Sequence, residues 1–262
     1  MSSDIPPLKF TIATVTYNAG RQISHTIKSV EEQDYPHIEH LIVDGNSIDD
    51  TLEQIHHYQE RNSIAAVRHE VNCLSEPDAG LYDAMNKALQ MATGHYIVFL
   101  NAGDTLHEST TISKLAALCG TRRPAVIYGD TDVVNEQRHF VRHRRLRPPR
   151  QLTWRSFRNG MLVCHQAFFA NMQLAAQTPY DMRYKFSSDF EWCIRILRQA
   201  QRQKMECINS HLTVADFLEG GMTRKNHKAS LHERFRIMAD HYGWLSTLFF
   251  HLWFVVRSFL KK

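Results

Sequence analysis

With 262 residues, 43% of them apolar and 22% charged, the chain has the composition of an ordinary folded protein, enough for one large α/β domain or two small ones. A formal charge of +4 is mildly basic, which suits phosphate-bearing ligands or an anionic membrane surface and gives no reason to expect nucleic acid. The five cysteines (Cys73, Cys119, Cys164, Cys193 and Cys207) are odd in number, widely spaced and without a C-x-x-C pair, so they point to neither a disulfide framework nor a zinc site. The start MSSDIPPLKF lacks an apolar leader core and carries Asp4, Pro6 and Pro7, so the expected location is the reducing cytoplasm.

The first predicted element is the β-branched, apolar run from Phe10 to Tyr17. A helix follows, with Ile23, Ile27 and Val30 at helical spacing. A second strand, His40 to Asp44, runs into the turn-rich GNSIDD, after which Leu52 and Ile55 begin another helical face. A third strand is expected within Ile64 to Val71. Leu81, Met85, Leu89 and Ala92 form one helical stripe, Gly94 closes it, and the strand Tyr96 to Asn101 follows. Ala125 to Asp130 is the fifth strand candidate.

Such alternation implies an α/β fold with a mostly parallel, Rossmann-like sheet and helices on both faces, in which ligands sit at the carboxyl ends of strands. The polar residues at those ends are Tyr17 and Asn18, Asp44 to Asp50, Asn101 to Asp104, and Gly129 to Asp132. One such turn would be unremarkable as a solvated loop. Four at one sheet edge outline a pocket for a nucleotide and a metal. Asp104 is the leading metal ligand, Asn101 its neutral neighbour, and Asp130 with Asp132 a second carboxylate pair that reads equally well as a strand-end turn. Arg138 to Arg150, with six arginines and ending on Pro148 and Pro149, reads as an exposed loop.

Farther along, Phe190, Ile194 and Leu197 mark a helix, and Ser188 with Glu191 has the spacing of a capping box that places Asp189 in the first turn. The helix dipole alone favours an acidic residue there, and it also keeps Asp189 ionised, as a general base requires. Trp244 to Leu260 is strongly apolar but interrupted by His251 and Arg257, and it is shorter than the roughly 20 residues that span a bilayer. Thr247, His251 and Ser258 form a narrow polar stripe; with Arg257, Lys261, Lys262, Arg234 and Arg236 nearby, an interfacial membrane helix is expected, against a core-packed or oligomer-contact helix.

The segments TVTYNAG, IVDGNSIDDT, SEPDAGLYDAMNKALQMATGHYIVFLNAGD, CHQAFF, SSDFEWCIR and EGGMT, in that order, resemble the family-2 glycosyltransferases of GT-A fold, and among them the branch that builds bacterial exopolysaccharides such as colanic acid. The likeness runs from about Phe10 to Thr223. It implies an inverting transfer of sugar from a nucleotide-diphosphate donor of UDP or GDP type to an acceptor hydroxyl, on a lipid-linked saccharide for exopolysaccharide or O-antigen. On that resemblance Thr14, Tyr17 and Asn18 lie beside the nucleotide and Asp44 holds the base. Asp78, Gly80 and Asn86 lie near the donor sugar and diphosphate. Asp104 binds Mg²⁺ or Mn²⁺, Asp189 is the catalytic base, and His165 and Gln166 line the acceptor side. The chain reads Asn101-Ala102-Gly103-Asp104 where many relatives carry D-x-D and a further Asp, leaving one acidic residue of three. The implied organisation is a glycosyltransferase domain over 1–225 and a helical tail over 226–262, held at the cytosolic face of the inner membrane. Two alternatives stand beside it. A sugar nucleotidyltransferase would need a Gly-rich loop after the first strand, where this chain has TYNAGR; a nucleotide-sugar-binding protein with weak or no catalysis would not need Asp104 and Asp189.

Overall fold

A computed structural model describes residues 6–220 and 226–260, the side chains of 258–260 excepted. Of the EGGMT motif only Glu219 and Gly220 fall within that description, and Ser258, Lys261 and Lys262 of the tail lie outside it.

In chain order the elements are β1 (Phe10–Thr16), α1 (Gly20–Glu31), β2 (Ile38–Asp44), α2 (Thr51–Ser63), β3 (Glu70–Ser75), α3 (Leu81–Met91) and β4 (Tyr96–Phe99). Then come β5 (Thr105–Leu106), α4 (Thr111–Cys119), β6 (Val126–Val134), β7 (Phe140–His143), β8 (Phe168–Asn171) and the single turn α5 (Met172–Ala175). The chain continues with α6 (Ser188–Arg202), β9 (Cys207–Leu218), α7 (His227–Tyr242) and α8 (Trp244–Leu260). Among the described residues the strands form one sheet in the order β3-β2-β1-β4-β8-β6-β9-β5, with β7 beside β6. β3, β2, β1 and β4 are parallel, as the alternation predicts. Beyond β4 the sheet is mixed: β8 is antiparallel to β4 and β6, β6 is parallel to β9, and β5 and β7 are antiparallel edges.

β1 and β2 are buried along their whole length, which is why they read as near-continuous apolar runs. Helices cover both faces. Leu41 and Val43 of β2 join the large apolar cluster with α3, α4 and α6, whereas Ile42 joins the smaller one with Ile23 and Ile27 of α1 and Ile55 and Tyr58 of α2. Alternate strand residues face opposite sides, so these are the two sides of the sheet.

Three expectations need correction. The third strand is Glu70–Ser75, not Ile64 to Val71, because α2 runs to Ser63 and the Asn62 side chain clamps the following bend. Its amide nitrogen donates to the His69 carbonyl at 2.8 Å and its oxygen accepts from the His69 N–H at 3.0 Å. β6 does not end in a turn at Gly129–Asp132 but continues to Val134, absorbing Gly129 in a register shift against β9. There the backbone crowds so closely that a Cβ on Gly129 would lie 2.6 Å from the Leu212 carbonyl oxygen. The arginine-rich stretch is not wholly an exposed loop: its start pairs with β6 as β7, and Arg138 turns inward to donate to the Gly103 carbonyl.

Candidate active site

The carboxyl ends of β1 and β4, the start of α3, the start of α6 and the end of β9 surround a cavity of ≈ 800 Å³. That size is in the range of small-molecule sites, and the position is where an α/β sheet presents its ligands. Of the predicted site residues, Tyr17, Asp78, Gly80 and Asn101 line it from the sheet and α3 side. Asp104, His165, Gln166 and Asp189 line it as well.

Asp189 sits in the first turn of α6, as its periodicity predicts. The helix cap is Ser187, however, and the expected capping box does not form. The Ser188 hydroxyl donates to the Asp181 carbonyl at 2.9 Å, and Glu191 is taken by Arg195 at 2.7 Å and His241 at 3.2 Å. With its first turn anchored this way, α6 aims Asp189 into the cavity. One Asp189 oxygen accepts from the Tyr82 hydroxyl at 3.1 Å, and the other lies 3.2 Å from His165 Nδ1. Burial pushes the Asp189 carboxyl up, but the His165 hydrogen bond, aided by the charges of His165 and Arg234, outweighs it and holds the group below the usual carboxylate range. An ionised carboxylate only accepts, so Nδ1 of His165 carries the proton. Nε2 lies 3.3 Å from the Asn101 amide nitrogen. The Asn101 Oδ1 atom is left buried with no hydrogen-bond partner.

Asp104 is buried in the cavity wall. One oxygen accepts from the Gln166 amide at 2.6 Å and the other from the Leu218 N–H at 3.0 Å, while its carbonyl accepts from the Thr26 hydroxyl at 2.7 Å. Burial raises its carboxyl above the ordinary value despite these donors. A buried carboxylate and a buried amide carbonyl without a partner, both on one cavity, are the hard oxygen donors that Mg²⁺ or Mn²⁺ takes, so Asp104 and Asn101 fit such an ion. Asp130 and Asp132 do not contribute. They lie within β6, Asp130 3.8 Å from Arg147 and Asp132 2.7 Å from His143, away from this cavity.

Four expected donor contacts stand off the cavity surface. Thr14 is buried within β1 with its hydroxyl 3.0 Å from His40. Asn18, in the left-handed region at φ 49°, spends its side-chain oxygen on the Ile48 N–H. Asp44 accepts from the Ser47 N–H at 2.9 Å and the Ser75 hydroxyl at 2.7 Å, closing the turn after β2. Asn86 binds the backbone of Tyr180 from both ends of its amide, at 2.6 and 3.1 Å. Conversely, Tyr82 was not singled out by the sequence although it lies inside the SEPDAGLYDAMNK run. Its signal is a tyrosine beside the apolar stripe of α3, and its partner is 107 residues away. Gln22, Glu136 and Leu218 are further lining residues with no motif to mark them.

The family model for "Glycosyl transferase family 2" matches residues 11–178. A PGL/p-HBAD biosynthesis glycosyltransferase of Mycobacterium bovis is 29% identical over 214 residues, covering 81% of this chain and 77% of that protein. The amylovoran biosynthesis glycosyltransferase AmsB of Erwinia amylovora is 25% identical over 200 residues, 72% of this chain and 64% of its own length. In structure, residues 1–349 of S. aureus TarS in complex with UDP-GlcNAc superpose with a TM-score of 0.67 at 17% identity, over 92% of this chain and 73% of that one. The chain spans 43% of the longer TarS structure. The mannosyltransferase PcManGT of Pyrobaculum calidifontis, in complex with GDP-Man and Mn²⁺, gives 0.60 at 17% identity, over 95% and 73%. The fold is thus GT-A-like, a mixed sheet flanked by helices, and the chain is a glycosyltransferase that belongs to glycosyl transferase family 2.

Proposed function

We propose that this glycosyltransferase acts with inversion, moving a sugar from a UDP- or GDP-type donor to an acceptor hydroxyl in a single displacement with Asp189 as base. The observation that carries this reading is the Asp189 carboxylate, buried on the cavity, oriented by Tyr82 and His165, and held ionised. A positioned carboxylate that is unprotonated at neutral pH can take the acceptor hydroxyl's proton as its oxygen attacks the anomeric carbon, while the nucleoside diphosphate leaves from the other side. His165 and Gln166 form the acceptor-side wall. Tyr17, Asp78, Gly80 and Asn101 are the donor-side contacts, Asn18 and Asp44 shape the turns behind them, and Thr14 supports them from within β1. Gly80, at φ +114°, lets the chain enter α3 with its backbone bare toward the cavity. Asp104 and Asn101 would hold the divalent cation, Mg²⁺ or Mn²⁺. When bound, that ion supplies positive charge to the departing diphosphate.

The acceptor and pathway follow from the resemblance to the exopolysaccharide branch that includes the colanic acid glycosyltransferase WcaE, and from the likeness to AmsB. The name of AmsB supports polysaccharide biosynthesis alone; from the resemblance we infer a lipid-linked saccharide acceptor in exopolysaccharide or O-antigen synthesis at the cytosolic face of the inner membrane, reached through the tail over 226–262. Replacing the base tests the chemistry. Asp189→Asn should lower kcat by about a hundredfold or more while the Kd for UDP or GDP, read by calorimetry, stays within about twofold. Wild-type turnover in Asp189→Asn would overturn the assignment.

A further inference from the structure

Away from the cavity just described, the strands β5, β9, β6 and β7 lie side by side and bring four chemistry-bearing residues into one row. Asp132 of β6 is the cross-strand partner of Asp216 of β9 and of His143 of β7, while Asp216 is the partner of Thr105, two residues before His107. Two carboxylates placed directly opposite one another repel, and here both are largely withdrawn from water, with 9% and 18% of their side chains exposed. Such a pair calls for positive charge between them. His107 Nδ1 is 2.8 Å from Asp216, and one ligand atom from each of His107, Asp132 and Asp216 lies within 4.8 Å of the others.

We propose that His107, Asp132 and Asp216 form a divalent transition-metal site, separate from Asp104 and Asp189 and outside the sugar-transfer machinery. One imidazole with two carboxylates is a donor set for Zn²⁺ or Mn²⁺ rather than for a soft metal, and ligand bonds of about 2.0–2.2 Å are reached by small side-chain adjustments. The ion replaces the His107–Asp216 ion pair and neutralises both carboxylates. His143, 2.7 Å from Asp132, orients that ligand from outside, as hydrogen-bonded partners of metal-binding carboxylates do. A cleft of ≈ 190 Å³ lined by His107 and Asp216 gives an entry path. Two cations also line it: Lys28, paired with Glu32 at 3.7 Å, and Arg138, whose Nη1 donates to the Gly103 carbonyl and whose charge reaches Asp216, so an incoming ion enters against them and is held by the three ligands beyond. The row lies next to the active-site floor: Asp216 is two residues before Leu218, whose N–H holds Asp104, and His107 is three residues after Asp104. An ion here would brace β5, β9 and β6 against one another.

The test is metal content and thermal stability of the full chain, stripped with chelator and dialysed against ZnCl₂ or MnCl₂ without nucleotide. The wild type and Asp104→Asn should each retain one equivalent of metal and gain the same rise in Tm. In His107→Ala and in Asp132→Asn the retained metal and the Tm gain should be lost, with affinity down by more than about tenfold. Circular dichroism of the metal-free variants confirms folding, and two variants on different strands keep the result independent of either one. Equal retention in the wild type and His107→Ala, loss in Asp104→Asn alone, or no retention in the wild type would each overturn the proposal.

Discussion

At the scale of single residues, two buried carboxylates on one cavity are driven in opposite directions. Burial raises both; at Asp189 the His165 hydrogen bond with the charges of His165 and Arg234 outweighs it, whereas at Asp104 the Gln166 amide, the Leu218 N–H and the charges of His165 and Arg138 together do not. A divergence of this kind separates a base from a ligand or structural acid. It also gives a signed pH prediction. The proposed base must be unprotonated, so activity should be lost as pH falls through the Asp189 pKa, which the His165 hydrogen bond helps to hold below the usual carboxylate range. In His165→Ala the effect of burial is left with less opposition, and the acid limb of the kcat/KM profile should move to higher pH. An unmoved limb would show that Asp189 does not govern it. Asp189 was legible in the sequence because its helix announces itself through Phe190, Ile194 and Leu197. Tyr82 was not, because a hydrogen bond spanning 107 residues leaves no local trace.

At the scale of elements, the site depends on how α3, α6 and the segment before α6 are locked together. Asn86 of α3 holds both backbone polar groups of Tyr180, and the Tyr180 ring stacks on Tyr82 at 5.5 Å and on Trp192 of α6 at 5.0 Å. These contacts support a positioning role for Asn86, exerted on Asp189 through Tyr180, Tyr82 and α6. Removing its amide leaves a backbone donor and acceptor without partners, so Asn86→Ala should destabilise the protein by about 2–4 kcal/mol in urea unfolding. It should lower kcat through misplacement of Asp189, with donor Kd unchanged. A large loss of donor affinity with normal stability would instead place Asn86 at the donor, as the family resemblance implies. The strand ends show what local reading can do. Tyr17 and Asn101 follow strands whose β-branched and aromatic runs are buried on both faces, so their positions could be read directly. YGDTD misled because Gly and Asp signal a turn, while tertiary pairing with β9 carries the strand through Gly129 and on to Val134.

At the scale of the whole molecule, the parallel half of the sheet was visible in the alternation of the first hundred residues. The mixed half was not, since β8 and β9 are brought to β6 from 40 to 84 residues away and nothing in their sequences names the partner. The tail shows a different limit: its polar stripe was seen, but the side it faces was not. Thr247 is buried and His251 is half-buried, its Nδ1 2.9 Å from the Thr247 carbonyl and its ring against Phe235 of α7. Thr247 and His251 thus pack on the protein, and α8 turns Leu245, Leu248, Phe249 and Leu252 outward at 85, 54, 66 and 66% exposure. No helix among the described residues is long and apolar enough to cross a membrane. A contiguous apolar face of this kind marks an interaction surface, and with Arg257 on the same helix it suits the interfacial region of an anionic bilayer. Each large side chain inserted contributes about 1.5–3 kcal/mol, so a few of them suffice for reversible attachment. A chain ending at Tyr242 keeps the Tyr242–Trp154 stack at 5.2 Å and should remain folded, but it should no longer pellet with anionic liposomes. Leu245→Glu with Leu252→Glu in the full-length chain should abolish pelleting as well, leaving turnover on a soluble acceptor analogue intact. Equal pelleting of all three proteins would remove the membrane from this reading, and pelleting lost together with a change from dimer to monomer in sedimentation would assign the face to a second copy of the chain.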